Sequence, residues 1–184
     1  MKSVVVGISG GIACYKAAEI VSALVKKGCQ VDVIMTENAQ KFIAPLTFQT
    51  LSGSKVITDM FDEADEWDVK HISLAQKADV FVVVPATANI IGKIAGGIAD
   101  DMLTTTIMAA TCRRIIAPAM NTAMWDNPIV KDNIEKLKKY GFEVLDTDTG
   151  RLACGDIGKG KLLPWETIVD VILEGENKIT GEDE

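Results

Sequence analysis

The sequence has only one histidine, His71, and its few cysteines contain no Cys-x-x-Cys pair. The four cysteines stand at irregular positions: Cys14, Cys29, Cys112 and Cys154. Zinc sites take their ligands from clustered cysteine and histidine, so this spacing provides no basis for one. It also lacks the dense pattern of secreted disulfide frameworks. We therefore expect reduced thiols, a cytoplasmic location and no metal centre.

Long apolar runs and an excess of positive charge are also lacking. The valine-rich stretches SVVVGI and VFVVVPA are far shorter than the roughly 20 apolar residues that cross a bilayer. The formal net charge of −7 disfavours nucleic acid or an anionic membrane as the main partner. Hydrophobic residues make up 48% of the 184 residues, which is enough to bury the core of one domain.

Short β-branched runs alternate with amphipathic stretches along the chain. The apolar runs are SVVVGI, QVDVIMT, DVFVVVP, RRIIAPA and FEVLD, and the helix-like stretches include IACYKAAEIVSALVKKG and NPIVKDNIEKLKKYG. Continuously apolar strands separated by helices are typical of a parallel sheet covered on both faces. We predict a doubly wound, Rossmann-like α/β fold over residues 1–173, followed by a polar, acidic tail or linker stub at 174–184.

The loops after the first two strands contain candidate phosphate contacts, because doubly wound folds bind ligands at the carboxyl ends of strands. The segment GISGGIACYK places Ser9, Gly10 and Gly11 before a helix, where backbone N–H groups and the helix dipole favour a phosphate. It is not the dinucleotide fingerprint. Thr36 after the second strand suits a phosphate, although Glu37 keeps a ribose contact open. A mononucleotide is the better fit, and a plain tight turn is the alternative interpretation of the glycines.

The third strand leads into the segment VVVPATANIIGKIAGGIADDMLTTT. We expect Pro85 to end the strand, and Thr87 and Asn89 either to cap the next helix or to bind a ligand. The paired Asp100 and Asp101 suggest a metal or acid–base role. No other ligand lies near them in sequence, so we favour helix capping.

Three further side chains are candidates for chemistry. Asn121, in the apolar loop IIAPAMNTAMWDNP, could bind a carboxylate through its NH2 group or bond its own turn. His71 opens the helix before the third strand, where an imidazole can carry protons near neutral pH or serve a structural role. Cys154 lies among glycines in RLACGDIGKGKLLP, with Lys159 and Lys161 following, and this composition predicts a mobile segment.

Together these loops resemble the flavin-containing cysteine decarboxylases, in particular those of coenzyme A synthesis. The matching segments are GISGGIACYK, HISLAQKAD, PATANIIGKIAGGIADDMLTTT, PAMNTAMWDNP and ACGDIGKGKL, in the family's order and within residues 2–173. The resemblance implies FMN as cofactor, His71 and Cys154 as catalytic residues, and substrate contacts at Asn121 and Met124. The implied FMN contacts are Ser9, Gly10, Gly11, Thr36, Thr87, Ala88, Asn89, Ile90 and Ala119.

The resemblance also implies a reaction and an assembly. The reaction is decarboxylation of 4'-phosphopantothenoyl-L-cysteine to 4'-phosphopantetheine, through transient oxidation of the substrate thiol to a thioaldehyde. The assembly is a homotrimer, alone or in larger shells, with His71 reaching the flavin of a neighbour. Such domains are often fused to the synthetase that makes their substrate, so the chain is expected to be a stand-alone enzyme or part of a bifunctional protein. The alternatives are a peptidyl-cysteine decarboxylase and a non-catalytic flavin-binding regulatory subunit.

Overall fold

The computed structural model describes residues 1–61, 70–151, 155 and 157–174, and its central element is a five-stranded sheet. The strands are β1 (Ser3–Ile8), β2 (Gln30–Met35), β3 (Val80–Ala86), β4 (Arg113–Pro118) and β5 (Glu143–Val144). They lie in the order β2-β1-β3-β4-β5, and each neighbouring pair is parallel. The predicted parallel α/β sheet is therefore confirmed. Its strand order changes direction between β1 and β3, the kind of point where such sheets open a ligand crevice.

Helices connect and cover these strands. Among the described residues they are α1 (Tyr15–Lys26), α2 (Glu37–Gln40), α3 (Pro45–Ser52), α4 (Lys70–Lys77), α5 (Ala88–Gly96), α6 (Met102–Ala109), α7 (Thr122–Trp125), α8 (Pro128–Lys139) and α9 (Trp165–Leu173). A 3-10 turn, Ile12–Cys14, precedes α1. Two further strands, β6 (Asp148–Arg151) and β7 (Ile157–Lys161), form a separate antiparallel pair. Gly28 and Gly141 follow α1 and α8 with φ of 82° and 81°, the left-handed conformation that favours glycine after a helix.

Alternate residues of the central strands face opposite layers of helices. Val4 and Val6 of β1 pack in the layer formed by α1, α3 and α9. Val5 of β1 and Phe81 of β3 pack in the layer formed by α4, α5, α6 and α8. Every residue of β1 and β3 is buried, because the sheet is covered on both faces, as the continuously apolar strands predict.

The prediction that Pro85 ends β3 is wrong. The strand pairs with β4 as far as Val83, its register then shifts, and pairing resumes between Ala86 and Pro118. The Val84–Pro85 peptide bond is cis. Proline lacks an N–H group and removes one donor from the ladder, but the residues on either side keep theirs. The strand therefore continues to Ala86 across an irregularity.

The described part of the chain ends just after helix α9. The last described helix, α9, ends at Leu173, the residue at which we predict the domain to end. The predicted tail lies outside the described residues from position 175 onward, so the division into domain and tail stays a prediction. Within the described part of the chain, no helix is long and apolar enough to cross a membrane.

Replacing Phe81 with Ala should destabilise the fold strongly. The Phe81 side chain is fully buried in the middle of the sheet, so its removal leaves a cavity. We expect the free energy of unfolding in urea to fall by about 3–5 kcal/mol. Phe61→Ala is the matched control, because Phe61 is 85% exposed. That variant should change stability by less than about 0.5 kcal/mol, and equal losses in both variants would contradict this assignment of the core.

Candidate active site

A cavity of about 1070 Å³ lies at the carboxyl ends of β1, β2, β3 and β4. The nine predicted cofactor contacts all line it: Ser9, Gly10, Gly11, Thr36, Thr87, Ala88, Asn89, Ile90 and Ala119. The predicted substrate contacts Asn121 and Met124 line the same cavity. Its volume is slightly above the roughly 300–1,000 Å³ typical of small-molecule sites. The structure thus brings these two groups of predicted residues together.

The Ser9 hydroxyl joins the loop after β1 to the loop after β3. Its Oγ donates to the Pro85 carbonyl oxygen at 2.7 Å and accepts from the Thr87 N–H at 3.0 Å. The Ser9 residue is only 2% exposed. Because both bonds engage the hydroxyl, we assign any phosphate contact of this loop to backbone N–H groups instead.

Gly10 lies against the backbone of Asn38 in α2. A Cβ at Gly10 would collide with Asn38 Cβ and come within 2.8 Å of the Asn38 carbonyl carbon. Gly11 has more room, since a Cβ there would lie 3.3 Å from Thr87 Cγ2. Packing therefore requires the glycine at position 10, which supports the tight-turn interpretation without excluding a phosphate in the same loop.

Two threonines begin helices and also line the cavity. Thr36 Oγ1 accepts from the Ala39 N–H at 3.2 Å and caps α2. Thr87 Oγ1 accepts from the Ile90 N–H at 3.3 Å and caps α5. The capping interpretation of Thr87 is confirmed. A capping hydroxyl still carries its own proton as a donor, so capping and ligand binding are compatible.

The two adjacent aspartates have different roles: Asp101 caps a helix, and Asp100 forms an ion pair with Lys93. Asp101 Oδ1 accepts from the Thr104 N–H at 2.8 Å, and Thr104 Oγ1 accepts from the Asp101 N–H at 3.1 Å. This reciprocal pair is a capping box at the start of α6. Asp100 instead accepts from the Lys93 ammonium, with its two carboxylate oxygens at 2.8 and 2.9 Å. The capping prediction is confirmed for Asp101, and no group of three potential metal ligands occurs among the described residues.

The Lys93–Asp100 pair shifts both groups toward their charged forms. The hydrogen bond from Lys93 lowers the pKa of the Asp100 carboxyl, and the same bond raises the pKa of Lys93. The resulting stabilisation is present above the unfolded-state pKa of Asp100 and is lost as pH falls through its lowered folded-state pKa. The stabilisation that comes from Lys93 is lost as pH rises through the raised folded-state pKa of Lys93. Because the pair is exposed and screened by salt, its contribution to stability is small.

Of the four basic side chains in the wall, the sequence analysis singled out only Lys161 and missed the other three. Lys16, Lys93, Arg151 and Lys161 are the basic residues among the described lining of the cavity. Lys93 stands four residues, about one helical turn, after Asn89, which is a signal that could have identified it. The same lining also contains Glu37, Asp100 and Asp101, and Lys93 is paired with Asp100, so the four basic side chains exceed the three acidic ones by one formal charge.

Asn121 begins the short helix α7 and lines the cavity. Its Oδ1 accepts from the Ala123 N–H at 2.8 Å, so the interpretation that this residue bonds its own turn is confirmed for the oxygen. The NH2 group is the donor end of the same amide. A carboxylate that approaches Asn121 would therefore contact this donor end.

The β6–β7 pair packs on the turn that carries this asparagine. The sequence predicts a mobile glycine-rich segment here, whereas Ile157–Lys161 form strand β7. A Cβ at Gly158 would lie 2.6 Å from Thr122 Oγ1, and one at Gly160, where φ is 114°, would collide with the Met120 carbonyl oxygen. Close packing thus explains why both positions are glycine. This reason is visible only in the folded structure, because the contacting residues are distant in sequence.

The two predicted catalytic residues are not part of the described cavity. His71 is the second residue of α4, is half-buried, and is not among the described residues that line the cavity. Because α4 leads back to the start of β3, its first turn lies toward the carboxyl edge of the sheet. Cys154 lies outside the described residues. Both catalytic roles stay predictions.

The other cysteines are unsuited to nucleophilic chemistry. Cys14 and Cys29 are buried, Cys112 is half-buried, and none of these three forms a disulfide. Burial raises the pKa of the Cys14 and Cys112 thiols, which disfavours the reactive thiolate. None of these three cysteines is among the described residues that line the cavity, so the prediction of a proton-donating thiol depends on Cys154.

Comparison with known proteins identifies close relatives. The protein-family model described as Flavoprotein matches residues 1–176. "Coenzyme A biosynthesis bifunctional protein CoaBC" of Bacillus subtilis (strain 168) is 52% identical over 168 residues, which are 91% of this chain but 41% of that relative. The chain therefore spans less than half of that relative's length.

Two further matches extend over nearly the whole of both proteins. "Probable phosphopantothenoylcysteine decarboxylase" of Streptococcus mutans is 42% identical over 175 residues, 94% of this chain and 98% of the relative. The solved structure of a cysteine-to-serine mutant of a PPC decarboxylase, complexed with pantothenoylaminoethenethiol, matches with a TM-score of 0.85. It is 30% identical, and the match covers 96% of this chain and 99% of that chain.

Replacing Gly10 with Ala should damage both the fold and the cavity. The added Cβ would push the first loop away from Asn38, and such overpacking costs about 1–3 kcal/mol. Urea unfolding should show this loss, and the visible absorption of the purified protein should show reduced flavin content. Gly92→Ala in α5 is the matched control, because its nearest neighbour would be Asn133 Nδ2 at 3.7 Å. It should raise stability by about 0.5–1 kcal/mol, and a Gly10→Ala variant that behaved in the same way would contradict the packing constraint.

Proposed function

Because the chain belongs to the Flavoprotein family, we propose that it is an FMN-dependent decarboxylase of coenzyme A biosynthesis. It converts 4'-phosphopantothenoyl-L-cysteine to 4'-phosphopantetheine. The observation that carries this proposal is that the predicted cofactor contacts and both predicted substrate contacts line one cavity. The relative from Streptococcus mutans supports it, since it matches over 98% of its own length and is named for this decarboxylation alone.

The residues of the cavity fit FMN. Ser9, Gly10 and Gly11 precede the turn that opens α1, where N–H groups and the helix dipole favour a phosphate. Thr36 presents a hydroxyl where dinucleotide sites present a carboxylate to the ribose, which suits a mononucleotide. The half-buried Ala88 and Ala119 supply apolar surface in the same cavity for an isoalloxazine ring.

The bound cofactor would supply the electron sink that this decarboxylation needs, by accepting a hydride from the carbon that bears the substrate thiol and later returning it. His71 helps to deprotonate or orient that thiol, since a thiol with a pKa of about 8.5 is mostly protonated at neutral pH. Asn121 holds the substrate carboxylate through its NH2 group until CO2 leaves. A neutral donor orients this group without an ionic grip that would stabilise the ground state. Cys154, as a protonated thiol, gives a proton to the enethiolate that remains.

We infer further that the active unit is a homotrimer in which subunits share sites. The position of His71 supports this, because it lies toward the same edge of the sheet as the cavity but not in the described lining of its own chain. A synthetase that makes the substrate, fused or separate, is the proposed partner, supported by the bifunctional name of the Bacillus subtilis relative. The proposed location is the cytoplasm.

The function is tested with purified protein and its extracted cofactor. We expect FMN in the extract and CO2 release from 4'-phosphopantothenoyl-L-cysteine, with a peptide ending in cysteine as the competing substrate. His71→Asn should keep FMN bound but reduce CO2 release by at least about 10²-fold, because the proton-transfer group is lost. Near-normal turnover in this variant would assign His71 a structural role.

Mixing His71→Asn chains with Asn121→Asp chains tests the shared site. We expect the second variant to be inactive alone as well, because an aspartate at position 121 would repel the substrate carboxylate. If His71 acts at a neighbour's cavity, co-refolded trimers of His71→Asn and Asn121→Asp chains contain some sites with both native residues, and CO2 release should return. If both residues act within one subunit, every mixed site keeps one defect and activity stays absent. Each variant refolded alone is the control.

Cys154→Ser should separate decarboxylation from the final protonation. We expect CO2 release to continue while the unsaturated enethiol accumulates, because serine is a far weaker acid than a thiol. The solved cysteine-to-serine mutant of a PPC decarboxylase is complexed with an aminoethenethiol, which is an unsaturated thiol of this kind. Mass spectrometry of the products distinguishes the enethiol from 4'-phosphopantetheine, and saturated product at the native rate would show that Cys154 is not the acid.

A further inference from the structure

Hydrogen bonds on both sides of Asn121 join its turn to strand β7. The Met120 N–H donates to the Gly160 carbonyl oxygen at 2.9 Å. The Thr122 hydroxyl donates to the Lys159 carbonyl oxygen at 2.8 Å. Since Asn121 lies between Met120 and Thr122, two consecutive carbonyls of one strand hold its backbone from either side.

Strand β7 is itself anchored at this point. The Gly160 N–H donates to Thr147 Oγ1 at 3.1 Å, in a buried bond, and Thr147 is only 6% exposed. A Cβ at Gly160 would collide with the Met120 carbonyl oxygen, and one at Gly158 would lie 2.6 Å from Thr122 Oγ1. Gly160 therefore packs against the backbone of Met120 and Gly158 against the Thr122 side chain, with no space for a side chain at either glycine.

The direction of the Asn121 amide depends on this packing. Its Oδ1 accepts from the Ala123 N–H at 2.8 Å, which orients the amide relative to its own turn. Strand β7 holds this turn through its hydrogen bonds with Met120 and Thr122. Asn121 and Gly160 both line the cavity, whereas Thr122 is absent from its described lining. A loss of the Thr122 bond would thus move the amide without removing any group that contacts a ligand.

We propose that Thr122 is a positioning residue that directs the Asn121 amide toward the substrate carboxylate. This inference rests on the proposed function, because it requires a carboxylate at Asn121. A change at Thr122 should therefore affect binding of the substrate and the product differently. The substrate has a carboxylate and the product 4'-phosphopantetheine has lost it, so a misplaced amide weakens binding of the first and not of the second.

Thr122→Val tests this role, because valine keeps the shape of threonine and removes the hydroxyl donor. We expect KM for the substrate to rise by about 3- to 10-fold, the range of one net hydrogen bond, with a smaller change in kcat. The Kd of 4'-phosphopantothenoyl-L-serine, an unreactive analogue that keeps the carboxylate, should rise by a similar factor. The Kd of 4'-phosphopantetheine should stay within about twofold. Changes in the flavin absorption spectrum report both Kd values.

Two variants serve as controls and one as a second test. Thr122→Ser keeps the hydroxyl and should restore native constants. Thr50→Val removes a similar bond, from Thr50 Oγ1 to the Leu46 carbonyl at 2.9 Å in α3, and should change neither Kd. Gly158→Ala displaces the Thr122 hydroxyl from the β7 side and should reproduce the selective loss, so it tests the proposal even if Thr122→Val folds poorly.

A double-mutant cycle separates positioning from general loosening. In an Asn121→Ala background, Thr122→Val should weaken binding of the serine analogue by no more than about twofold, because the amide through which it acts is missing. Equal weakening of the serine analogue and 4'-phosphopantetheine would overturn the proposal, as would a full effect in the Asn121→Ala background. Native protein that releases no CO2 would contradict the proposed function. Active native protein with an unaffected Thr122→Val variant would contradict the positioning role alone.

Discussion

The Ser9 hydroxyl holds together the two loops on which the cavity depends. It bonds the Pro85 carbonyl and the Thr87 N–H, so it joins the carboxyl ends of β1 and β3 across 76 to 78 residues of sequence. These strands are neighbours at the point where the strand order changes direction. Because the hydroxyl is buried, losing either partner would leave a polar group unsatisfied at a cost of about 1–3 kcal/mol. The spacing of the two loops is therefore defined by tertiary contacts and not by local turn preferences.

The walls of the cavity are built from the first residues of helices. Thr36, Thr87, Asp101 and Asn121 cap α2, α5, α6 and α7, and all four line the cavity. Each capping oxygen accepts a backbone N–H, while the hydroxyl protons and the amide NH2 are donors of the same side chains. At Thr36, Thr87 and Asn121, capping is therefore compatible with ligand binding, whereas the ionised Asp101 carboxylate offers no donor. The amino-terminal end of α5 and the basic wall residues add positive potential to the cavity, and Glu37, Asp100 and Asp101 in the same lining offset part of it.

The sequence predicted those features that depend on local pattern. Continuously apolar strands defined the parallel sheet, and the polar residues directly after them, from Ser9 to Asn121, identified the cavity. The sequence did not predict contacts between distant segments of the chain. Strand β7 has alternating lysine and glycine, which disfavours a strand. It pairs with β6, and its Gly158 and Gly160 pack against residues 120–122. The continuation of β3 past Pro85 has the same origin, since pairing with β4 resumes at Ala86.

The cavity has two ends that different parts of the fold support. The end at Ser9, Gly10 and Thr87 is supported by the central sheet, whose strands are buried on both faces. The end at Asn121 is supported by β7, which belongs to a separate two-stranded sheet and contacts the turn through backbone carbonyls. Among the described residues no strand pairing links the two sheets, so we expect changes in β7 to move the Asn121 amide while the loops at Ser9 keep their geometry. For the proposed decarboxylase, which would keep its cofactor through many turnovers and exchange substrate in each, this arrangement would let the substrate end be adjusted separately from the cofactor end.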